Sequence, residues 1–157
     1  MIKINTLNTF SGLARYELWK SGWEKKDQVD EYSYISNMCH PEEVLLCSKL
    51  FFPGFVCAGG GVFIESRYND DLFNCWLERF SGDLQATEKM INHTHLYDVF
   101  EGCSEEVDDK VFEQLAEVFA FSWRLLLDKK FPDKNFKVEV SNSDQDYGPV
   151  VTFYQVA

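Results

Sequence analysis

Ser104–Phe131 reads SEEVDDKVFEQLAEVFAFSWRLLLDKKF, and it carries the signals of one long helix. The Ser104 hydroxyl can accept from an unpaired backbone N–H at a helix start. Glu105, Glu106, Asp108 and Asp109 follow in the first turns, where the helix dipole favours negative charge. Lys129 and Lys130 occupy the last turn, where it favours positive charge, and Pro132 stops the helix. Between these signals apolar residues recur at helical spacing. Val107, Val111, Leu115 and Val118 form one row; Phe112, Ala116, Phe119, Trp123 and Leu126 form the next. Towards the end Ala120, Phe121, Leu125 and Leu127 widen the apolar face, so the second half is expected to be nearly surrounded by protein.

Two strands are expected to pack on this helix. Phe136–Val140 alternates apolar with charged residues, Ser141–Pro149 is turn chemistry, and Val150–Val156 is β-rich. Upstream, Met1–Leu7 reads as a short strand, in which Ile2 and Ile4 alternate, or merely as an ordered arm; Leu13–Lys20 has helical spacing, and Val29–Ile35 alternates as a strand. His40-Pro41-Glu42-Glu43 opens a helix that Pro53-Gly54 ends. Phe55–Ala58 and Val62–Glu65 flank three glycines as a hairpin or bulged strand, expected at the centre of a sheet. Asn69 or Asp70 caps a helix running to Gly82, and Asp83–Ile91 forms another. His93–Phe100 has no clear period. Regular β–α alternation is absent, which excludes a doubly wound sheet. The expectation is an α+β fold: an antiparallel or mixed sheet packed against several helices, with the long helix 104–131 followed by a C-terminal β-hairpin. The 157 residues suit one domain, 1–157, with a core that needs no disulfide or structural metal.

The net charge of −11 is uneven. Residues 1–80 carry −3 and residues 81–157 carry −8. Asp98–Glu117 alone holds eight carboxylates, Asp98, Glu101, Glu105, Glu106, Asp108, Asp109, Glu113 and Glu117, against Lys110. Such a field repels nucleic acid and anionic membrane and favours a basic partner. Aromatic residues make up 16% of the chain, so any ring left exposed is an interface candidate.

Cys39, Cys47, Cys57, Cys75 and Cys103 form no C-x-x-C pair. Their odd count, and the apolar neighbours of Cys47, Cys57 and Cys75, lead us to expect reduced, mostly buried thiols. MIKINTLNTF has no apolar signal region, and Leu50–Ile64 is too short and too broken to span a bilayer. A cytoplasmic protein is therefore expected.

The chemical motifs are sparse. Gly59–Gly61 lacks the spacing and the following Lys-Ser/Thr of a phosphate loop. Asn142, Asp144 and Asp146 are spaced like a calcium loop, but Tyr147 and Phe153 stand where Gly and a bidentate Glu are required. Cys39-His40 is an adjacency, which does not set a base against a thiolate. His93 and His95 would share one side of a strand, and with Asp98 or Cys103 could share a metal or serve as acid and base. No cofactor is expected. The residues favour a binding protein over an enzyme: a basic protein partner would meet Asp98, Glu101, Glu105, Glu106, Asp108, Asp109 and Glu113. In size, charge and composition the chain resembles the immunity proteins that neutralise bacterial toxins, whose acidic surfaces cover the active sites of cationic nucleases. That resemblance covers no aligned residues; it implies salt-sensitive, tight binding to a basic protein. The alternative is a small metal- or histidine-using enzyme at His93 and His95. A homo-oligomer is compatible with either.

Overall fold

Short polar side chains that can accept from free N–H groups set the helix starts. In the computed structural model, which describes residues 2, 4–103, 106–142 and 147–156, α1 is Ala14–Ser21 and α2 is Glu31–Met38. The second corrects the strand expected over 29–35. Asp30 accepts from Ser33 N–H at 2.8 Å, and Ser33 Oγ accepts from Asp30 N–H at 3.3 Å. This reciprocal cap outweighs a loose alternation. It also turns the Tyr34 ring onto Tyr16 and Trp19, with centroids 5.5 and 5.2 Å away. The described residues before α1 form no strand either: Ile2 and Ile4 stand 89% and 82% exposed. The arm is held instead by Gln114, whose Oε1 accepts from Ser11 N–H and whose Nε2 donates to Ser11 O, both at 2.8 Å.

Helix α3, Pro41–Phe51, starts as its sequence implies, with His40 Nδ1 accepting from Glu42 N–H. Strands β1 (Phe55–Ala58) and β2 (Gly61–Ile64) form a tight antiparallel hairpin. Its turn residues Gly59 and Gly60 have φ of 55° and 87°, the left-handed pair that a two-residue hairpin turn requires. The two strands make a sheet of their own rather than the centre of a larger one. Helices α4 (Asp70–Arg79) and α5 (Leu84–Ile91) follow, capped by Asn69 and Asp83. Then come β3 (Thr94–His95), α6 (Leu96–Val99), α7 (Asp109–Lys130), β4 (Asn135–Ser141) and β5 (Val150–Val156). The second sheet is antiparallel, in the order β3-β5-β4. The fold is thus α+β, with the long helix preceding a C-terminal β-hairpin.

The long helix starts later than expected. Asp108 caps it, its carboxylate accepting from Lys110 N–H at 2.9 Å; Ser104 and Glu105 lie outside the described residues. Its buried row is Phe112, Ala116, Phe119, Ala120, Trp123 and Leu127, packed on β4 and β5 through Val138, Val151 and Phe153. Contrary to the wide apolar face read in its second half, Phe121 and Leu125 remain 43% and 56% exposed. Both point away from the sheet that buries the Phe119–Trp123–Leu127 row.

Two polar side chains join the sheets. Glu88 is fully buried on α5. Its Oε1 accepts from Val62 N–H and its Oε2 from Gln155 N–H, both at 2.7 Å. One turn on, buried Asn92 accepts from Ile64 N–H at 2.9 Å and donates to Val62 O and Phe153 O at 3.0 and 3.1 Å. These side chains stand in for a missing strand between β2 and β5, satisfying backbone groups that would otherwise be buried unpaired. Among the described residues, no buried side-chain N or O lacks a partner.

All five cysteines are free thiols. Against expectation four are exposed, and only Cys39 is half-buried. Cys47 and Cys75 lie on outward faces of α3 and α4, and Cys57 is the outward-facing position of β1. No described helix is long and apolar enough to cross a membrane.

Candidate functional site: an acidic and aromatic patch

The eight carboxylates of 98–117 divide by element. Asp98 is exposed on α6. Its charge offsets part of the burial that lowers the Arg67 guanidinium's pKa. Glu101 is exposed in the turn that follows. Glu106 and Asp108 line an apolar groove of about 390 Å³ against α1 and α2, with Leu13, Tyr16 and Ile35. Asp109, Glu113 and Glu117 lie along the first turns of α7 and are all exposed. Glu105 is outside the described residues.

Asp109 and Glu113 are the two that meet other functional groups. The Tyr97 hydroxyl, on α6, donates to the Asp109 carboxylate. That bond, then burial and the nearby negative charge, push the Tyr97 phenol up to about 12. The Tyr97 ring lies edge-on to Phe112 at 4.8 Å on its core side and to Tyr147 at 5.2 Å on its outer side. Tyr147 is 70% exposed. Gly148 makes this close approach possible. Its φ is +78°, and a Cβ there would come within 2.8 Å of the Tyr97 ring. One turn along α7, Glu113 accepts from Asn142 Nδ2 at 2.8 Å. Glu113 and Glu117 line an open depression of about 360 Å³ with Gln114, Val140, Asn142 and Pro149. The patch is therefore two tyrosines and three carboxylates at the junction of α6, α7 and the end of the β4–β5 hairpin. Carboxylates beside an aromatic face are the chemistry that receives a guanidinium or an ammonium.

His93 and His95 lie next to this patch. Their Nε2 atoms are 2.9 Å apart, and His95 Nδ1 is 3.2 Å from Tyr147 O. A carbonyl only accepts, so His95 Nδ1 carries a proton. In the neutral ring His95 Nε2 then accepts from His93 Nε2–H. The pair holds at most one positive charge in this geometry. Among the described residues, no group of three or more His, Cys, Asp or Glu side chains is arranged to hold a metal ion. His40 is occupied as the α3 cap. Of the calcium-like spacing, Asn142 is bound to Glu113, while Asp144 and Asp146 lie outside the described residues.

Sequence reading singled out Asp109 and Glu113 for the partner and Asn142 only for its calcium-like spacing, and it gave no role to Tyr97 or Tyr147. The tyrosines sit 50 residues apart in the chain, and the pairing of β3 with β5 brings them together. The one local hint is Tyr147-Gly148-Pro149, an aromatic residue at the edge of a turn. Comparisons with protein-family models, curated proteins and solved structures returned no match to the chain.

Proposed function

We propose that this protein binds a basic protein partner through the patch of Asp109, Glu113, Glu117, Tyr97 and Tyr147. The observation that supports it best is the edge-to-face tyrosine pair beside Asp109, with Tyr147 70% exposed. An arginine or lysine of the partner would lie on the Tyr147 ring and pair with Glu113 or Glu117. An exposed cation–π contact of this kind contributes about 0.5–1 kcal/mol. The net charge of −11 supports the reading by steering a cationic partner from a distance, an effect that weakens with salt. The role is that of a sequestering or neutralising protein. Its proposed place is the cytoplasm, a reducing setting that suits four exposed free thiols.

The alternative, a metal- or histidine-using enzyme at His93 and His95, has less support. His93 Nε2 and both ring nitrogens of His95 are engaged with one another and with Tyr147 O.

The test is capture from host lysate on immobilised protein, eluted with rising salt, compared with a Glu113→Lys/Glu117→Lys variant and with Tyr147→Ala. The reading expects a basic protein that the wild type retains at low salt, with at least tenfold weaker retention on the charge-reversal variant, a loss of about 1.4 kcal/mol, and about two- to fivefold weaker retention on Tyr147→Ala, a loss of about 0.5–1 kcal/mol. Equal retention by all three, or no basic protein enriched on the wild type, overturns it.

A further inference from the structure

Helix α3 has no buried residue, although four of its eleven residues are Val44, Leu45, Leu46 and Leu50. Only its C-terminal end is anchored. Leu50 O accepts from Trp123 Nε1, Phe51 O accepts from Ser122 Oγ, and the Phe51 ring meets Phe119 edge-on at 4.9 Å. Residues 41–47 are all exposed. Val44, Leu45 and Leu46 stand 53%, 71% and 67% open, and Phe52, seven residues beyond Leu45, is 63% open. Of these, Leu45, Leu46 and Phe52 share the outward side of the helix and leave on the order of 400 Å² of apolar surface in water, the size at which a patch marks an interaction site.

The order of residues along α3 says what covers it. PEEVLLCSKLF is self-complementary about the midpoint between Leu45 and Leu46. Laid antiparallel on a second copy, Glu42 meets the partner's Lys49 and Leu45 meets the partner's Leu46, all four positions sharing one face of the helix. The Glu42–Lys49 pair then forms twice across a two-fold axis, and the two helix dipoles oppose. The surrounding charge also permits this contact. Residues 1–53 hold six basic and seven acidic side chains, so the excess negative charge lies in the rest of the chain. Two copies of a protein carrying −11 approach most easily through that nearly neutral third. A strongly basic partner would be drawn elsewhere, and Glu42 and Glu43 disfavour an anionic lipid surface.

We infer that α3 is a self-docking helix that pairs antiparallel with α3 of a second copy to form a homodimer. The paired helices bury less than the about 800 Å² per partner of a standard interface, so the dimer is a micromolar one. This does not rest on the acidic patch, which lies on other elements.

Sedimentation velocity across a concentration series tests it. The weight-average mass should rise from the 18.3 kDa monomer towards twice that value. Leu45→Glu should weaken dimerisation at least a hundredfold while leaving the melting temperature unchanged, because that side chain is exposed. Glu42→Lys should weaken it, and Glu42→Lys/Lys49→Glu should restore it, since the double exchange recreates both pairs. A chain that stays monomeric throughout, including one that sediments with anionic vesicles instead, overturns the inference. So does a dimer indifferent to Leu45→Glu, or a charge exchange that fails to restore it.

Discussion

Replacing Asn92 with alanine removes one of the two buried side chains that join the sheets. Three hydrogen bonds end on it, to Ile64 N–H, Val62 O and Phe153 O, and all are buried. No other group is placed to take over, because Asn92 fills the gap between β2 and β5 where a strand would otherwise run. Each buried backbone group left unpaired costs about 1–3 kcal/mol, and the two carbonyls fall in the lower half of that range because an orphaned carbonyl is better tolerated than an orphaned N–H, so Asn92→Ala should lose about 3–6 kcal/mol. A domain has only about 5–15 kcal/mol in all. Urea unfolding followed by circular dichroism reads the change directly. With a slope of about 2 kcal/mol per molar, the midpoint should fall by roughly 1.5–3 M. Asn142→Ala is the control: that amide is exposed and makes one bond, to Glu113, and its loss should stay below about 1 kcal/mol. An Asn92→Ala protein no less stable than the control would refute the idea that α5 substitutes for a strand.

Two further perturbations report on other parts of the molecule. Gly148→Ala places a Cβ against the Tyr97 ring at a backbone angle that disfavours it; the ring must leave Asp109, stability should fall by about 1–3 kcal/mol, and the phenol that titrates at about 12 should return towards the ordinary tyrosine range in an ultraviolet alkaline titration with Tyr97→Phe as reference. The Glu139 carboxyl is held down at about 2, first by Lys137 and then by Lys89 and the Tyr154 hydroxyl. A depressed carboxyl stabilises the fold fully above its unfolded value of 4.5 and loses that contribution as pH falls towards 2. Its ceiling of about 3 kcal/mol shrinks to about 1 kcal/mol because Lys89 and Lys137 are 51% and 58% exposed. Acid titration of stability should therefore be shallower in Glu139→Gln between those limits, and equal slopes would count against the ion pairs.

Local chemistry was legible in the sequence, and long-range pairing was not. The starts at His40, Asn69 and Asp83 could be read because a cap acts within three residues. The same rule was available at Asp30-x-x-Ser33, but an alternation of Val29 and Ile35 masked it. Periodicity also marked Phe112, Ala116, Phe119 and Trp123 of the buried row of α7, but ended that row on Leu126 where Leu127 is the buried residue. It could not show that Phe121 and Leu125 face away from the sheet, since a helix carries no record of which of its apolar flanks is covered. Glu88 and Asn92 sit on the apolar face of α5 with Leu84 and Ile91, where a carboxylate and an amide signal buried polar work. Their partners lie 26 to 67 residues away, so only the fold could name them. The acidic stretch announced itself by composition. Its division among three surroundings, and the tyrosine pair that gives one of them a shape, depend on where β5 lies.

The position of β5 also sets the order in which the chain can become a protein. It is the middle strand of its sheet, and its Phe153 O and Gln155 N–H complete the bracket that holds the β1–β2 hairpin. As the chain leaves the ribosome, helices α4 and α5 can form early, yet Glu88 Oε2 and one of Asn92's three side-chain bonds wait for residues made more than sixty positions later. Until Gln155 has emerged, a buried carboxylate has no place to be buried. The bonds that join the two sheets are therefore the last to become available in chain order.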